Sequence, residues 1–169
     1  MNILVRRELR GEARIRIAAP PERVWSLISD ITRMGEWSPE CRDCEWLGNA
    51  AAPAVGASFR GHNRLGPWRW RRDVTITASD PGREFAFVTL GVGGAEQTRW
   101  RYQIDKIDGE AQVTESFECV TRPLYIHLWL LLPRMHGWRK ANLLSGMRHT
   151  LDRVKAVAEK ALDEPVNRD

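Results

Sequence analysis

Polar and apolar residues alternate with a period of two along several short stretches of the chain, a pattern typical of half-buried β-strands. The first such stretch is 12–17 and the last is 112–120. The strands predicted between them are 46–47, 58–63, 68–77, 84–90 and 97–104. Tight turns, of which Asp108-Gly109 is the strongest hairpin signal, join most of these strands, so we expect them to pair antiparallel.

Helical segments are predicted after the first strand and after the last one. Pro20-Pro21-Glu22 is typical of a helix start, because proline is tolerated in the first turn and an acidic side chain suits the positive helix end. A second short helical piece is predicted to end at Pro39. Over 138–162, apolar residues recur at three- and four-residue steps, which predicts a long amphipathic helix.

The resulting order is one strand, two short helices, six strands and one long helix, which indicates an α+β protein. A curved antiparallel sheet of about seven strands is expected to wrap around the C-terminal helix, because its concave face is the available partner for the apolar stripe of that helix. The 169 residues predict a single domain, 1–169, with a core at about 11–162.

Composition narrows the class of protein. With 43% hydrophobic and 28% charged residues the chain is typical of a soluble globular protein, and its eight Trp suit a large core or a wall that contacts a flat organic ligand. The start shows no apolar stretch long enough for a signal peptide, so we expect a cytoplasmic protein. The net charge is +4, but the basic residues are spread along the chain, which predicts solvated faces and no nucleic-acid partner.

The three cysteines are expected to be thiols. Cys41 and Cys44 form a C-x-x-C pair, but no second ligand pair at zinc-site spacing accompanies them, and a strand rather than a helix is predicted to follow. We therefore predict neither a metal site nor a redox motif. No glycine-rich phosphate loop and no triad spacing is found, so no cofactor is predicted.

Several segments resemble the START-like superfamily, also called SRPBCC, and within it the proteins described as polyketide cyclase/dehydrase. They are APPERVW at 19–25, EWSPEC at 36–41, VGASFRGHNR at 55–64, PGREFAF at 81–87, VTES at 113–116 and GMRHTL at 146–151. The resemblance implies a helix-grip fold with an internal cavity over about 11–162. It also implies a lipid, sterol, polyketide or quinone ligand and, in some members, cyclisation or dehydration.

Strand parity and helix periodicity predict which side chains face the inside of such a fold. The ligand-binding residues predicted in this way are Phe59, Asn63, Trp68, Trp70, Phe85, Phe87, Trp100, Tyr102, Phe117, Leu144 and Met147. Two charged residues, Arg72 and Glu115, share the inner face. A lone buried charge costs several kcal/mol, so both should be paired or should face water or a ligand.

Three functions remain open at this point. The first is binding of a small hydrophobic ligand, lipid-, polyketide- or aromatic-like, in the cavity. The second is a cofactor-independent cyclase or dehydratase in which Arg72 orients a carbonyl or carboxylate and Glu115 is the general acid or base. The structural alternative is that the two form a buried or rim salt bridge, or that a bulge turns one of them outward. The third is an interaction module that contacts a membrane or a protein.

The apolar segment 124–132 bears on the third function. It is about half the length of a spanning helix, and it is interpreted as a lid, as a core helix, or as a patch for transient membrane contact assisted by Arg134, Arg139 and Lys140. The chain is expected to be a monomer or a homodimer, since an edge strand at 12–17 could pair between subunits.

Overall fold

Seven strands form one antiparallel sheet in the computed structural model, which describes residues 9–120 and 133–160. They are β1 (Arg10–Ile17), β2 (Cys41–Trp46), β3 (Ser58–Leu65), β4 (Trp68–Asp80), β5 (Glu84–Leu90), β6 (Glu96–Ile107) and β7 (Glu110–Cys119). The spatial order is β1-β7-β6-β5-β4-β3-β2, so the first strand pairs with the last and β1 and β2 are the edges.

The helices follow the predicted order along the chain. Between β1 and β2 come α1 (Pro21–Ser29), a 3-10 turn and α2 (Met34–Trp37), and the long helix α3 (Pro133–Lys160) follows the sheet. The start of α3 was predicted too late, at 138, because proline is well accommodated in a first turn and does not prevent a helix from beginning there. Its predicted end at 162 lies outside the described residues. The predicted fold class, a helix-grip arrangement with two short helices after β1, is confirmed.

The β6–β7 hairpin confirms the strongest turn prediction. Asp108 and Gly109 connect the two strands with φ of 54° and 86°, the left-handed region that a two-residue hairpin turn requires. The turn sets the register of these two strands, which pairs Tyr102 with Glu115. Two candidate site residues therefore lie directly opposite each other.

Strand β2 was predicted too short, because its first half follows an irregular register. Cys41 pairs with Asn63, whereas Asp43 already pairs with His62, so one extra residue is accommodated in a bulge at this point. Gly35 of α2 packs directly on this bulge, since a Cβ at position 35 would lie 1.8 Å from the carbonyl oxygen of Arg42. The close approach of α2 fixes the shape of this sheet edge.

Helix α3 packs mainly against β1, α1 and α2. Met147, Leu151 and Val154 of α3 are fully buried there with Ile17 of β1. Because the helix lies toward the β1 side, it leaves space between itself and the central strands. That space is the cavity described below.

The apolar segment 124–132, with its three interpretations, lies outside the described residues. Among the residues that the structure describes, no helix has both the length and the apolar character needed to cross a membrane.

Candidate functional site

An internal cavity of about 370 Å³ lies between α3 and the sheet. Its walls come from α2, from β2 to β7 and from α3. The large apolar side chains that line it are Trp37, Phe59, Trp70, Phe87, Trp100 and Met147. A cavity of this size and composition suits a small organic molecule better than an ion or a polar metabolite.

Aromatic contacts hold much of this wall. Phe59 and Phe87 meet edge to face with 5.7 Å between ring centroids, and Phe87 lies opposite Trp100 across the β5–β6 ladder. Trp100 in turn packs on Phe117 at 5.4 Å. Such interlocked rings have few alternative rotamers, so the wall is a stiff surface against which a flat ligand can stack.

One acidic side chain interrupts the apolar wall. Glu115 of β7 lines the cavity and is 2% exposed. The hydroxyl of Tyr102 on β6 donates a hydrogen bond to its Oε1 at 2.8 Å. Its Oε2 is buried and has no hydrogen-bond partner among the described residues. A buried carboxyl oxygen without a partner is costly, so this atom is available to a ligand group.

Burial decides the protonation state of this pair. Desolvation raises the pKa of Glu115 to about 8, although the hydrogen bond from Tyr102 opposes the change. Desolvation and the neighbouring carboxyl also raise the pKa of Tyr102 well above 10. Near neutral pH both groups are therefore mainly uncharged, and because the tyrosine hydroxyl donates to Oε1 we expect the carboxyl proton on Oε2.

Arg72 does not neutralise Glu115. Its Nη1 donates to the backbone oxygen of Arg71 at 3.3 Å, and the side chain lines the cavity while also bordering a surface depression next to Asp73. Within 9–120 and 133–160 no ion pair joins Arg72 to Glu115, so the proposed structural salt bridge between them is wrong. The physical reason is that a neutral carboxyl needs no counter-charge.

A second carboxylate joins the sheet edge to the long helix. Glu40, just before β2, accepts from Arg139 Nη1 at 2.6 Å and Nη2 at 3.2 Å, and from Asn142 Nδ2 at 3.1 Å. All three side chains line the cavity. This bidentate clamp holds the start of β2 against α3 and closes one side of the cavity.

Comparison with protein families shows the family to which the chain belongs. A family model described as polyketide cyclase / dehydrase and lipid transport matches residues 8–159. The chain belongs to this family. The resemblance to the SRPBCC superfamily that the sequence motifs carried is thereby confirmed. The search of curated proteins gave no match.

Solved structures with the same fold extend the comparison. The Polyketide_cyc-like protein Cgl2372 from Corynebacterium glutamicum shares 27% identity over 98% of this chain and 100% of its own, with a TM-score of 0.65. The Zhui aromatase/cyclase from Streptomyces sp. R1128 shares 16% identity over 94% of this chain and 98% of its own, with a TM-score of 0.71. The di-domain ARO/CYC StfQ from the steffimycin biosynthetic pathway shares 11% identity over 93% of this chain and 52% of its own, with a TM-score of 0.73. At 16% and 11% identity, the likeness to Zhui and StfQ shows that the fold is shared and nothing more.

The cavity brings together most of the site residues predicted from the sequence. Those that line it are Phe59, Asn63, Trp70, Arg72, Phe87, Trp100, Tyr102, Glu115 and Met147. Their placement is a fact of geometry, whereas their roles in binding or catalysis stay predictions. Asn63 donates from Nδ2 to the backbone oxygen of Gly61 at 3.2 Å, which orients its amide along the wall.

Four predicted ligand-binding residues do not line the cavity. Trp68 is 72% exposed, because it lies at the tip of the β3–β4 hairpin. Phe85 is fully buried and packs against Phe87 at 5.8 Å, and Phe117 is buried behind Trp100. Leu144 lies against β1, where a Cβ on Gly11 would come within 2.8 Å of it. The α3 residue that lines the cavity at this level is Leu143.

The polar or nucleophilic residues of the cavity that sequence reasoning missed include Glu40, Cys41 and Cys44. For Glu40 the sequence offers no local signal, because its partners Arg139 and Asn142 are about one hundred residues away. For the cysteines the C-x-x-C spacing was the signal. It was set aside because no second ligand pair at zinc-site spacing accompanies the pair and because a strand rather than a helix was predicted to follow it.

Proposed function

We propose that the protein binds a small hydrophobic ligand, of lipid-, polyketide- or aromatic-like chemistry, in the cavity between α3 and the sheet. The observation that carries the proposal is the aromatic-walled cavity of about 370 Å³. Ligand sites of soluble proteins span about 300–1,000 Å³, so a compound of a few fused rings or a short acyl chain fits. Membership of a family described by polyketide cyclisation and lipid transport supports the same ligand class.

In this proposal the apolar wall and the polar groups of the cavity contribute differently to ligand binding. Stacking and apolar burial against Trp70, Phe87 and Trp100 supply affinity in proportion to the area removed from water. The protonated Oε2 of Glu115 supplies one directed hydrogen bond, which favours a ligand with a carbonyl or hydroxyl oxygen at that position.

The binding proposal is tested with substitutions whose larger side chains fill the cavity. Gly61 lines the cavity, and a Cβ there would make only ordinary contacts, at 3.5 Å and beyond, so Gly61→Leu places its side chain in the cavity. The matched control is Gly137→Leu, at an exposed position of α3 with nothing within 4 Å of an added Cβ. Binding of the dye anilinonaphthalene sulfonate is followed through its fluorescence and through quenching of the cavity tryptophans.

We expect Gly61→Leu to weaken dye binding by about tenfold or more, a cost of at least about 1.4 kcal/mol, while Gly137→Leu binds as the wild type does. Thr89→Phe, which fills the same cavity from β5, should act like Gly61→Leu and guards against a folding defect in one variant. Equal dye affinity in both filled, folded variants would disprove binding in the cavity. Native mass spectrometry and organic extraction of the purified protein then identify the compound that it carries.

A second candidate function is acid-catalysed water loss or cyclisation of the bound ligand, favoured by the unpartnered, protonated Oε2 of Glu115. A β-hydroxy ketone loses water when its hydroxyl leaves with a proton and the carbon next to the carbonyl gives up its own. In this step Glu115 donates the first proton, the carboxylate that remains accepts the second, and Tyr102 keeps the carboxyl oriented through Oε1. Zhui, an aromatase/cyclase, shares the fold.

The enzyme proposal is tested with a β-hydroxytetralone, which becomes a fluorescent naphthol when it loses water. We expect turnover by the wild type to fall as pH rises through about 8, as Glu115 loses its proton. Glu115→Gln should abolish turnover and retain dye binding, because the amide keeps the shape and cannot transfer a proton. Naphthol formation at the wild-type rate in Glu115→Gln would eliminate this role and leave the binding proposal intact.

A further inference from the structure

The two cysteines of the C-x-x-C pair lie side by side on the inner face of the sheet edge. The Sγ atoms of Cys41 and Cys44 are 3.3 Å apart. Residues three apart in a regular strand face opposite sides, but the bulge between Cys41 and Asp43 adds one residue and turns both thiols inward. A register irregularity thus brings the two thiols together, although their positions in a regular strand would separate them.

The surroundings leave this dithiol open to the cavity. Both cysteines line it, and Gly61 lies beneath them, where a Cβ would be 3.5 Å from Cys41 Sγ and 3.7 Å from Cys44 Sγ. Cys44 also contacts the thioether of Met34 at 3.8 Å. The sulfur atoms therefore face space that a small molecule can reach, and the absence of a side chain at position 61 keeps it free.

The two thiols are unequal in acidity. A hydrogen bond from Cys44 lowers the pKa of Cys41 against the opposing effects of burial and of Asp43. The same pairing and burial raise the pKa of Cys44. Cys41 is therefore the group that carries negative charge first and reacts first, and Cys44 keeps its proton next to it.

We propose that Cys41 and Cys44 form a redox-active dithiol site in the cavity wall, which takes a hydroperoxide as its substrate. The Cys41 thiolate attacks one peroxide oxygen, the O–O bond breaks, and Cys41 becomes a sulfenic acid while the other oxygen leaves as water or alcohol after protonation. Cys44 then attacks the Cys41 sulfur, a disulfide forms, and water leaves. The two thiols lose two electrons and two protons, and the peroxide gains them.

This proposal goes beyond ligand binding and does not depend on which ligand is bound. In the test, reduced protein is treated with hydrogen peroxide, its remaining thiols are alkylated, and tryptic peptides are analysed by mass spectrometry. Arg42 lies between the two cysteines, so cleavage there separates them, and a disulfide appears as a cross-link between peptides 34–42 and 43–60. We expect this cross-link to be the main oxidation product.

Cys119 provides the matched control, because it also lines the cavity but lies on β7. Cys119→Ser should form the same cross-link, whereas Cys44→Ser should leave Cys41 as a sulfenic acid that dimedone traps. Two freely alkylated thiols at 41 and 44 after treatment, or a cross-link of either to Cys119, would overturn the proposal.

A last measurement tests the route through the cavity. Protein saturated with anilinonaphthalene sulfonate should form the cross-link severalfold more slowly, because the dye covers both sulfur atoms. Equal rates in protein that is shown to bind the dye would overturn a cavity-facing site. Protein that does not bind the dye at all contradicts the proposed ligand-binding function, while the cross-link still decides for or against the dithiol.

Discussion

Tyr102 and Glu115 face each other across the β6–β7 ladder, and the tyrosine hydroxyl donates to Glu115 Oε1 at 2.8 Å. Both groups are buried, and desolvation keeps the carboxyl protonated up to a pH of about 8. Glu115 can therefore lie in an apolar wall without a positively charged partner, because its carboxyl group is neutral. This neutral pair, rather than the expected Arg72–Glu115 pair, is the polar centre of the cavity.

The raised pKa of Glu115 makes stability depend on pH. Between its ordinary value of 4.5 and about 8, the folded protein holds a proton here that the unfolded chain has lost. The free energy of unfolding should thus fall as pH rises through this window, by at most about 1.4 kcal/mol per pH unit from this group. Urea unfolding from about pH 5 to about pH 9 should show Glu115→Gln gaining stability relative to the wild type. A constant difference across this range would contradict a buried neutral acid.

Removal of the tyrosine hydroxyl should change the acid next to it. The hydrogen bond from Tyr102 lowers the pKa of Glu115, so Tyr102→Phe should raise that pKa further above 8 and leave Oε1 without its donor. We expect a loss of stability of about 1–3 kcal/mol. Carbon NMR of the Glu115 carboxyl through a pH titration measures the shift. A lower pKa in the variant would show that the phenol is not the group that stabilises the carboxylate.

The Glu40–Arg139 clamp should contribute more to stability than an equally well-formed surface pair. Its side chains are 20% and 25% exposed, against 48% and 37% in the bidentate Glu36–Arg33 pair. Glu40→Gln should lower the free energy of unfolding by about 1–2 kcal/mol, because a charged hydrogen bond shielded from water is lost. The control Glu36→Gln should cost at most about 0.5 kcal/mol. Equal costs in thermal or urea unfolding would indicate that solvent screens both pairs alike.

Gly35 should not tolerate a methyl group, whereas Gly137 should accept one. A Cβ at position 35 would lie 1.8 Å from the carbonyl oxygen of Arg42, so Gly35→Ala must displace α2 or the β2 bulge and should cost several kcal/mol. An alanine at exposed Gly137 of α3 meets nothing within 4 Å and should stabilise the helix by about 0.5–1 kcal/mol. Thermal unfolding of both variants measures this. A mild effect at position 35 would mean that the contact with β2 is not maintained in solution.

Local patterns predicted what depends on local geometry. Period-two alternation fixes which face of a strand a side chain occupies, and it placed Phe87, Trp100 and Glu115 correctly on the inner face. The alternation of side chains shows which face of a strand a residue occupies, but it does not show which part of the strand the helix covers. That is why Trp68 at a hairpin tip and Leu144 on the β1 side of α3 were assigned to the cavity although they lie elsewhere.

Features that depend on distant partners could not be predicted. The Glu40–Arg139 clamp joins residues 99 positions apart. The dithiol depends on the register of β2 against β3 and on the close contact of Gly35 with the Arg42 carbonyl. Neither feature can be derived from the spacing of the two cysteines. The protonation of Glu115 likewise follows from how completely the whole fold removes water from it.

The pairing of the first strand with the last also bears on how the chain reaches this structure. Residues 10–17 bond to 111–118, so β1 has no partner strand until nearly the whole sheet has been synthesised. The meander from β2 to β7 can form from neighbouring hairpins as the ribosome releases them, whereas closure by β1 carries a large loop entropy and comes late. A nascent chain stalled before β7 should therefore expose an unpaired β1 edge to chaperones and to other chains.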